Sequence, residues 1–286
     1  MIYKKWRDLD IDLNNAKFKN VEIEKIISYP PAGNDVIEVI LKNGENAFIK
    51  FERSKMADFK SEIKNINILF RNKYYTKIPY IYEYGIIENK DYIVLSKIEG
   101  KRLSEIINDV KDKNKYLFKY GKELAKIHKI PTNDFSLAKQ RIINDIPSIE
   151  NYKNFDSKIN KYIKYLEENN ISKEYNTFIH GDFHYANILW KYGNISGIID
   201  FEYSGLGFKE QDIAWSIVLR PYQKFMDNID DIKTFLKGYK TINEYDENKL
   251  KWCLINAYCH FYLMNKDDMY KDRLLNLLNT INNYFQ

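Results

Sequence analysis

The sequence has few of the features that mark secreted, membrane-bound or metal-scaffolded proteins. It contains only two cysteines, Cys253 and Cys259, and their spacing on a predicted helix places them on different faces, so neither a disulfide framework nor a zinc site is expected. No apolar run approaches the length that spans a bilayer, and residues 1–15 lack the apolar stretch of a signal peptide. We therefore expect a cytoplasmic protein with no membrane partner.

The sequence also lacks a concentrated block of charge of one sign. Lys and Arg number 45 against 40 Asp and Glu, and the formal net charge of +5 comes from scattered lysines. The most lysine-dense stretch, residues 111–129, has four lysines at spacings of three and four, which is typical of a solvated helix face: Lys119, Lys122, Lys126 and Lys129. No nucleic-acid partner is expected.

The pattern of apolar residues changes near residue 100. With 286 residues, 44% of them hydrophobic, the chain is long enough to bury a substantial core. Before residue 100, strands are predicted at 21–28 and 91–98, a hairpin over 36–51 turns at Asn43-Gly44, and one helix covers 54–72. Beyond it helices are predicted at 103–110, 113–129, 157–169, 209–219, 229–239, 247–264 and from 267 onward.

One stretch after residue 100 departs from the helical pattern and carries polar side chains between short strands. Residues 178–202 read "FIHGDFHYANILWKYGNISGIIDFE", in which Asp182 and Asn187 flank a loop and Asp200 ends the last strand. A hairpin in this order can bring the three side chains to one end of a sheet. Amide and carboxylate oxygens suit Mg²⁺, which shares its coordination shell with substrate phosphates, so the stretch predicts phosphoryl-transfer chemistry.

A second interpretation of the same stretch takes His180 and His184 as a zinc pair. Such a pair normally needs a helix that holds both rings on one face, often with a glutamate beside the first histidine. Here the flanks are predicted strands, and Gly181 stands where that glutamate would be. A zinc hydrolase and a purely structural loop remain less favoured alternatives.

The motif "HGDFHYANIL" followed by "GIIDFE" resembles the catalytic signature of the aminoglycoside phosphotransferase and choline kinase superfamily, small-molecule kinases with a protein-kinase-like fold. The segments "AFIKF", "YIVLSKIEGKRL", "GKELAKIHKI" and "QDIAWS" are similar to further parts of that family. The resemblance implies a bilobal α+β fold. Residues 1–96 would form a β-rich nucleotide-binding lobe, and residues 97–286 a hinge and a helical catalytic lobe with an embedded β-hairpin.

The resemblance also implies roles for five residues. Asp182 would be the catalytic base for the substrate hydroxyl, and Asn187 and Asp200 would hold Mg²⁺ against the nucleotide phosphates. Lys50 would bind the phosphates, with Glu62 as its ion-pair partner. An ammonium among apolar strand residues needs such anionic partners, which supports the assignment of Lys50.

Other positions follow from the resemblance alone. Ser28 in the phosphate-covering loop, and the backbone groups of Ser96 and Ile98 in the hinge, would contact the nucleotide, while Asp212 would anchor the catalytic loop internally. The two histidines of the motif would be structural. The sequence departs from protein kinases in two places, since "SYPPAGNDV" has a single glycine, Gly33, and "DFE" replaces "DFG".

These features predict an enzyme that transfers the γ-phosphoryl group of ATP or GTP to a hydroxyl of a small, cationic molecule, foremost an aminoglycoside-type antibiotic. A choline, ethanolamine or sugar kinase is the alternative, and a nucleotide-binding pseudokinase is less favoured. A polycation would need carboxylates, for which the candidates are Asp227, Asp230, Asp231, Asp267 and Asp268. A quaternary ammonium would need an aromatic cage, for which the candidates are Trp215, Trp252, Tyr258 and Tyr262. Solvated helix faces also explain the carboxylates, and core packing also explains the aromatic residues.

Overall fold

The computed structural model describes residues 13, 16–53, 58–108, 111–148, 150, 152 and 155–285. The chain divides into two compact units, one comprising Met1–Gly100 and Ser196–Tyr203, the other Lys101–Ile195 and Ser204–Gln286. Strands dominate the first unit and helices the second, as expected for the predicted α+β class. Within the described part of the chain, no helix combines the length and apolar character needed to cross a membrane.

The first unit is built on a five-stranded antiparallel sheet in the order β1-β2-β3-β5-β4. Gly44, with φ of 86°, closes the β2–β3 hairpin at the predicted turn. The strand β4 was not predicted. The elements of this sheet and its helix are β1 (Ile23–Ser28), β2 (Asp35–Leu41), β3 (Asn46–Phe51), α1 (Phe59–Arg71), β4 (Ile81–Ile87) and β5 (Lys90–Ser96).

Alternation along the strands separates the two faces of this sheet. One face forms an apolar cluster to which β3 contributes Ala47, Ile49 and Phe51. Because successive side chains point to opposite faces, Lys50 belongs to the other face, between Val36 of β2 and Ile93 of β5 in the strand register. The helix α1 contacts β4 and β5. Its N-cap is Asp58, and residues 54–57 of the predicted helix lie outside the described residues.

The short segment Ser196–Tyr203 belongs to the first unit although it lies far along the chain. The Ile198 N–H donates to the Lys77 carbonyl at 2.8 Å, and the Ser196 hydroxyl donates to the Glu99 carbonyl at 2.6 Å. Gly197 lies against the Ile98 side chain, since a Cβ at this glycine would be 2.5 Å from Ile98 Cγ2. These contacts hold the end of β9 (Asn194–Ile198) and the residues after it in the first unit.

The second unit is mainly helical. Its two small sheets have the orders β10-β7 and β6-β8-β9, so the strand Thr177–Ile179 pairs with β10 and is not part of the β8–β9 hairpin. The predicted helix at 103–110 is shorter, and residues 109–110 lie outside the described residues. The remaining elements are β6 (Lys101–Arg102), α2 (Leu103–Ile106), α3 (Lys113–Ile127), α4 (Asn160–Glu168), β7 (Thr177–Ile179), β8 (Ile188–Lys191), β10 (Gly205–Gly207), α5 (Lys209–Ile217), α6 (Ile229–Lys240), α7 (Glu247–Met264) and α8 (Asp268–Tyr284).

Helices α3 and α6 approach each other closely at two glycines. A Cβ at Gly121 would lie 2.0 Å from the Phe235 carbonyl oxygen, and a Cβ at Gly238 would lie 1.9 Å from the Phe118 carbonyl oxygen. Both obstacles are backbone atoms, which cannot move without shifting a helix. The contact therefore depends on the absence of side chains at both positions, and it fixes α3, whose C-cap His128 reaches the candidate site described below.

We predict that Gly121→Ala lowers the free energy of unfolding by about 1–3 kcal/mol, because overpacking outweighs the better helix propensity of alanine. Urea denaturation would measure the change. Gly33→Ala is a suitable control, since no atom lies within 4 Å of a Cβ built there, and it should be near neutral. A Gly121→Ala protein as stable as the parent would contradict the close contact between α3 and α6.

Candidate active site

The first unit buries a lysine between two carboxylates. Lys50 on β3 donates from Nζ to Glu62 Oε2 of α1 at 2.7 Å and to Asp200 Oδ1 at 3.0 Å. The Lys50 side chain is 11% exposed and that of Glu62 is fully buried. Burial alone would lower the pKa of Lys50, but the charges of Asp200 and Glu62 outweigh it and raise the pKa above its usual range. The ammonium therefore stays charged at physiological pH.

Asp200 has an unusual backbone conformation. Its φ of 70° lies in the left-handed region, which costs a residue other than glycine about 1–3 kcal/mol where the surrounding structure enforces it. The residue follows β9, whose end is held by the Ile198–Lys77 hydrogen bond. The Asp200 side chain is 33% exposed, whereas the Lys50–Glu62 pair that it contacts through Lys50 is buried. The strained backbone thus presents a partly accessible carboxylate beside a fixed cation.

In the second unit, the backbone of the loop between β7 and β8 is anchored by the carboxylate of Asp212. Its Oδ2 accepts from the His180 N–H and its Oδ1 from the Gly181 N–H, both at 3.0 Å. His128 Nε2 lies 3.1 Å from Asp212 Oδ2, while His128 Nδ1 lies 2.7 Å from the Tyr239 hydroxyl. The predicted anchoring role of Asp212 is thus borne out, and α5, α3 and α6 jointly hold the loop.

Asp182, in this loop, is surrounded by hydrogen-bond donors. Its Oδ1 contacts Arg141 Nη2 at 2.9 Å and accepts from Trp215 Nε1 at 2.8 Å, and its Oδ2 accepts from Asn187 Nδ2 at 3.1 Å. Burial would raise the pKa of this carboxyl, but His184, whose Nε2 lies 3.6 Å from Oδ2, and the charge of Arg141 outweigh it and hold the pKa well below its usual range. Asp182 is therefore an ionised carboxylate at any physiological pH.

The amide of Asn187 has a defined orientation. Its Nδ2 donates to the Asp182 carbonyl at 3.0 Å as well as to the Asp182 carboxylate, so the amide nitrogen is committed to the loop. The amide oxygen is then the group directed away from these acceptors, and an amide oxygen is a ligand that Mg²⁺ accepts. Asn187 in the second unit and Asp200 in the first unit are therefore each chemically suited to a hard divalent cation.

His180 and His184 use their rings within the loop. His180 is fully buried, and its Nδ1 accepts from the Asp182 N–H at 3.2 Å, while Nδ1 of His184 accepts from the Ala186 N–H at 3.3 Å. The described residues contain no cluster of three or more His, Cys, Asp or Glu arranged to hold a metal ion. The donor sets thus do not support the zinc-pair interpretation, and the two rings shape the loop around Asp182.

The three remaining predicted nucleotide contacts lie in the first unit. The Ser28 hydroxyl, at the end of β1, donates to Glu38 Oε2 at 2.6 Å. The Ser96 N–H, at the end of β5, donates to the Tyr80 carbonyl at 2.8 Å and is thus already used within the sheet. Ile98 follows two residues later and packs its side chain on Gly197.

Arg141 was not predicted from the sequence as a site residue, and Trp215 was predicted only as part of an aromatic cage. Arg141 lies 41 positions before Asp182 in an irregular segment, so no local signal marks it. Trp215 was a candidate wall of an aromatic cage, but the Arg141 and Arg220 guanidinium carbons lie 4.4 and 5.0 Å from its ring centroid. The other cage candidates are core residues, at most 1% exposed: Trp252, Tyr258 and Tyr262.

Most of the carboxylates considered for a polycationic substrate have structural partners. Asp231 is 3% exposed, pairs with Lys113 at 2.7 Å and accepts from the Met226 N–H. Asp267 is the N-cap of α8. Asp227 and Asp230 pair with Arg273 and Lys233 at 3.5 and 3.8 Å.

Comparisons with known proteins agree with this geometry. The sequence model of a family described as the phosphotransferase enzyme family matches residues 30–247. A thermostable mutant of aminoglycoside phosphotransferase APH(4)-Ia, in a ternary complex with AMP-PNP and hygromycin B, is similar in structure, with a TM-score of 0.62 and 13% identity over 91% of this chain and 94% of that one. The GDP and kanamycin complex of APH(2")-IIia is also similar, with a TM-score of 0.61 and 15% identity over 93% of this chain and 95% of that one.

A third similar structure is the GDP complex of wild-type aminoglycoside 2'-phosphotransferase-IIIa, with a TM-score of 0.62 and 15% identity over 91% of this chain and 93% of that chain. No curated protein sequence matches the chain. At these identities the structural likeness establishes the fold, and the predicted protein-kinase-like α+β class is confirmed.

We predict that Lys50→Met lowers the free energy of unfolding by about 3–5 kcal/mol near pH 8, because it leaves Glu62 charged and buried without its partner. The loss should be smaller near pH 5, where Glu62 can take up a proton. The double variant Lys50→Met/Glu62→Leu should recover part of the stability, since it removes both charges. Equal stability of Lys50→Met and the parent in urea at both pH values would show that the ion pair is not formed.

Proposed function

The chain belongs to the phosphotransferase enzyme family, and on that premise we propose that it transfers the γ-phosphoryl group of a nucleoside triphosphate to a hydroxyl of a small molecule with the help of Mg²⁺. The observation that carries the proposal is the environment of Asp182, an ionised carboxylate on an anchored loop that also orients the Asn187 amide. The transfer of a phosphoryl group mostly requires alignment and charge neutralisation, which such an arrangement can supply.

In the proposed reaction Asp182 orients the acceptor hydroxyl and receives its proton. The hydroxyl oxygen forms a bond to the γ-phosphorus, the bond from that phosphorus to the bridging oxygen breaks, and the nucleoside diphosphate leaves. The lowered pKa of Asp182 makes it a weak base, which suits a reaction whose transition state is loose and in which the proton moves late. Its ionised form is available as an acceptor without any prior deprotonation.

Lys50, Asn187 and Asp200 are proposed to act on the nucleotide phosphates. Mg²⁺, when bound, would neutralise charge on the phosphates, and Asn187 and Asp200 are the residues that would hold it. Lys50 would bind phosphate oxygens while Glu62 keeps its side chain in place. Its raised pKa ensures that it carries a full positive charge for this purpose.

The first unit is proposed to bind the rest of the nucleotide, with residues 1–96 as the nucleotide-binding lobe and residues 97–286 as the catalytic lobe. Ser28 would lie in the phosphate-covering loop, and Ser96 and Ile98 would line the adenine or guanine site. Because the Ser96 N–H is used by Tyr80, Ile98 is the better candidate for donating to the base. The similar structures hold adenine and guanine nucleotides, so both ATP and GTP are candidate donors. The enzyme is proposed to be cytoplasmic.

The acceptor is proposed to be a hydroxylated small molecule. An aminoglycoside is the candidate supported by the complexes of the similar structures with hygromycin B and kanamycin. A choline or ethanolamine acceptor has less support, because the residues considered for an aromatic cage are buried or stacked against arginines. A neutral sugar needs neither carboxylates nor a cage, and it is the second candidate.

We predict that Asp182→Asn lowers kcat at least about a hundredfold, because the acceptor hydroxyl loses its proton acceptor, while nucleotide affinity changes by less than about threefold. The measurement is donor turnover with ATP and GTP over kanamycin, hygromycin B, choline and sorbitol, alongside calorimetry with AMP-PNP. Asp230→Asn is the control, since its side chain is 87% exposed on α6 of the same unit. If Asp182→Asn turned over at a near-parental rate, Asp182 could not be the base.

A further inference from the structure

The second unit contains a cleft beside the catalytic loop that the proposed roles do not use. It has a cavity volume of about 30 Å³ and is bordered by Gly181, the residue before Asp182. Its lining comes from the irregular segment before α4, from β7 and from the start of α5. The polar and aromatic side chains that line it include Lys139, Arg141, Asn144, Tyr175, Gln211 and Trp215.

The charge that faces this cleft is predominantly positive. Lys139 and Arg141 line it, and among the residues that the structure describes Asp212 is the only lining residue with a carboxylate. Asp212 is 2% exposed and already accepts from two backbone N–H groups and contacts His128, so its charge is compensated from within the unit. None of the five aspartates considered for a polycationic acceptor lines the cleft. A polycation bound here would lie against the arginine and lysine side chains.

Arg141 is held in a fixed orientation. Its Nε donates to the Gly181 carbonyl at 2.9 Å, its Nη2 contacts Asp182 Oδ1 at 2.9 Å, and its guanidinium stacks on the Trp215 ring. Arg220 lies by the same ring and is held by the Val218 and Trp215 carbonyls. A guanidinium fixed in this way loses little conformational freedom when it binds an anion, and its planar donors match a carboxylate or a phosphate.

Gln211 gives an independent indication that the cleft receives a polar ligand. The residue lies in the first turn of α5, lines the cleft and is 7% exposed. Neither the oxygen nor the nitrogen of its side-chain amide has a hydrogen-bond partner among the residues that the structure describes. Because an unpaired buried amide is unfavourable, a ligand with donor and acceptor groups would gain from pairing with it.

We propose that the acceptor carries an anionic group, a carboxylate or a phosphate, in addition to its hydroxyl, and that Arg141 and Lys139 bind this group in the cleft beside Asp182. The inference rests on the proposed function and narrows its acceptor to a class other than polycations. Arg141 contacts Asp182 directly, so an anion bound to the same guanidinium lies within a few ångströms of the carboxylate that orients the hydroxyl. Arg141 thus positions both the base and the acceptor.

The test compares matched acceptors that differ in charge. D-gluconate is paired with sorbitol, and glycerol 3-phosphate with glycerol, so that the carboxylate and phosphate sources are distinguished; kanamycin represents the polycations. With ATP as donor, we expect kcat/KM for at least one anionic compound to exceed that of its neutral partner about tenfold or more, as a charge-assisted contact provides. Kanamycin should be a poorer acceptor than the preferred anionic compound.

Arg141→Gln should raise KM for the preferred anionic acceptor about tenfold to a hundredfold and reduce the ratio of kcat/KM between it and its neutral partner towards one. Lys139→Gln should act in the same direction with a smaller effect. Lys164→Gln, which removes a 73% exposed lysine on α4, is the charge-matched control and should leave the ratio unchanged. If Arg141 acted only on the structure of the loop, Arg141→Gln would lower kcat/KM equally for both acceptors. The ratio would then be unchanged, which would overturn the inference.

Binding is measured separately by calorimetry on the AMP-PNP-loaded protein, so that turnover is not needed. Gluconate or glycerol 3-phosphate should bind the parent more tightly than Arg141→Gln, and sorbitol and glycerol should not distinguish the two. If AMP-PNP binds but no anionic compound does, or if kanamycin is the preferred acceptor, the inference is wrong and the proposed function stands. Failure to bind AMP-PNP, together with no turnover of any acceptor, would overturn both.

Discussion

The loop between β7 and β8 depends on keeping one carboxylate ionised in a place where little water reaches it. The Asp182 side chain is 14% exposed, and a carboxylate that is mostly removed from water needs donors to stay charged. Trp215 and Asn187 donate hydrogen bonds to it, and Arg141 adds a positive charge at 2.9 Å; the three residues come from different segments. The loop can hold Asp182 against them because Asp212 fixes its backbone from below. These contacts stabilise the charged form of Asp182, either directly or by fixing the loop that carries it.

The first unit stabilises a nearly buried charge of the opposite sign, that of Lys50. Lys50 is nearly buried, and its charge is kept by Glu62 and Asp200, of which only Asp200 is partly accessible. The proposed activity needs both centres, since a buried cation suits phosphate oxygens and a buried anion suits a hydroxyl. Because Arg141 and Lys139 add positive charge to the cleft that Gly181 borders, the proposed acceptor is an anion and not a polycation.

The parts of the fold that local pattern controls were predictable from sequence. The hairpin at Asn43-Gly44 has its glycine at positive φ, and α7 spans the predicted residues because Asp246 caps an apolar helix. The strand β4 escaped prediction because Glu83 occupies a buried position in it, where its carboxylate accepts from the Lys19, Asn20 and Val21 N–H groups.

Contacts between residues distant in sequence were not predictable. β10 has only three residues, two of them glycine, and it is a strand only because β7 pairs with it. Motif resemblance led to Lys50, Glu62, Asp182, Asn187 and Asp200, and the structure pairs Lys50 with Glu62 and Asp182 with Asn187. Nothing in the chain near Arg141 indicates that it will contact Asp182, because tertiary folding alone brings them together.

The ionisation of Asp182 is the most direct measure of this account. Carbon-detected NMR of labelled aspartate carboxyls, assigned by the signal missing in Asp182→Asn, would follow its titration from about pH 7 to pH 4 in the parent and in Arg141→Gln. Asp182 in the parent should stay ionised over this range, and its pKa should rise in Arg141→Gln. An Asp182 that titrates at or above the ordinary aspartate value of about 3.9, or that does not respond to the loss of Arg141, would contradict it.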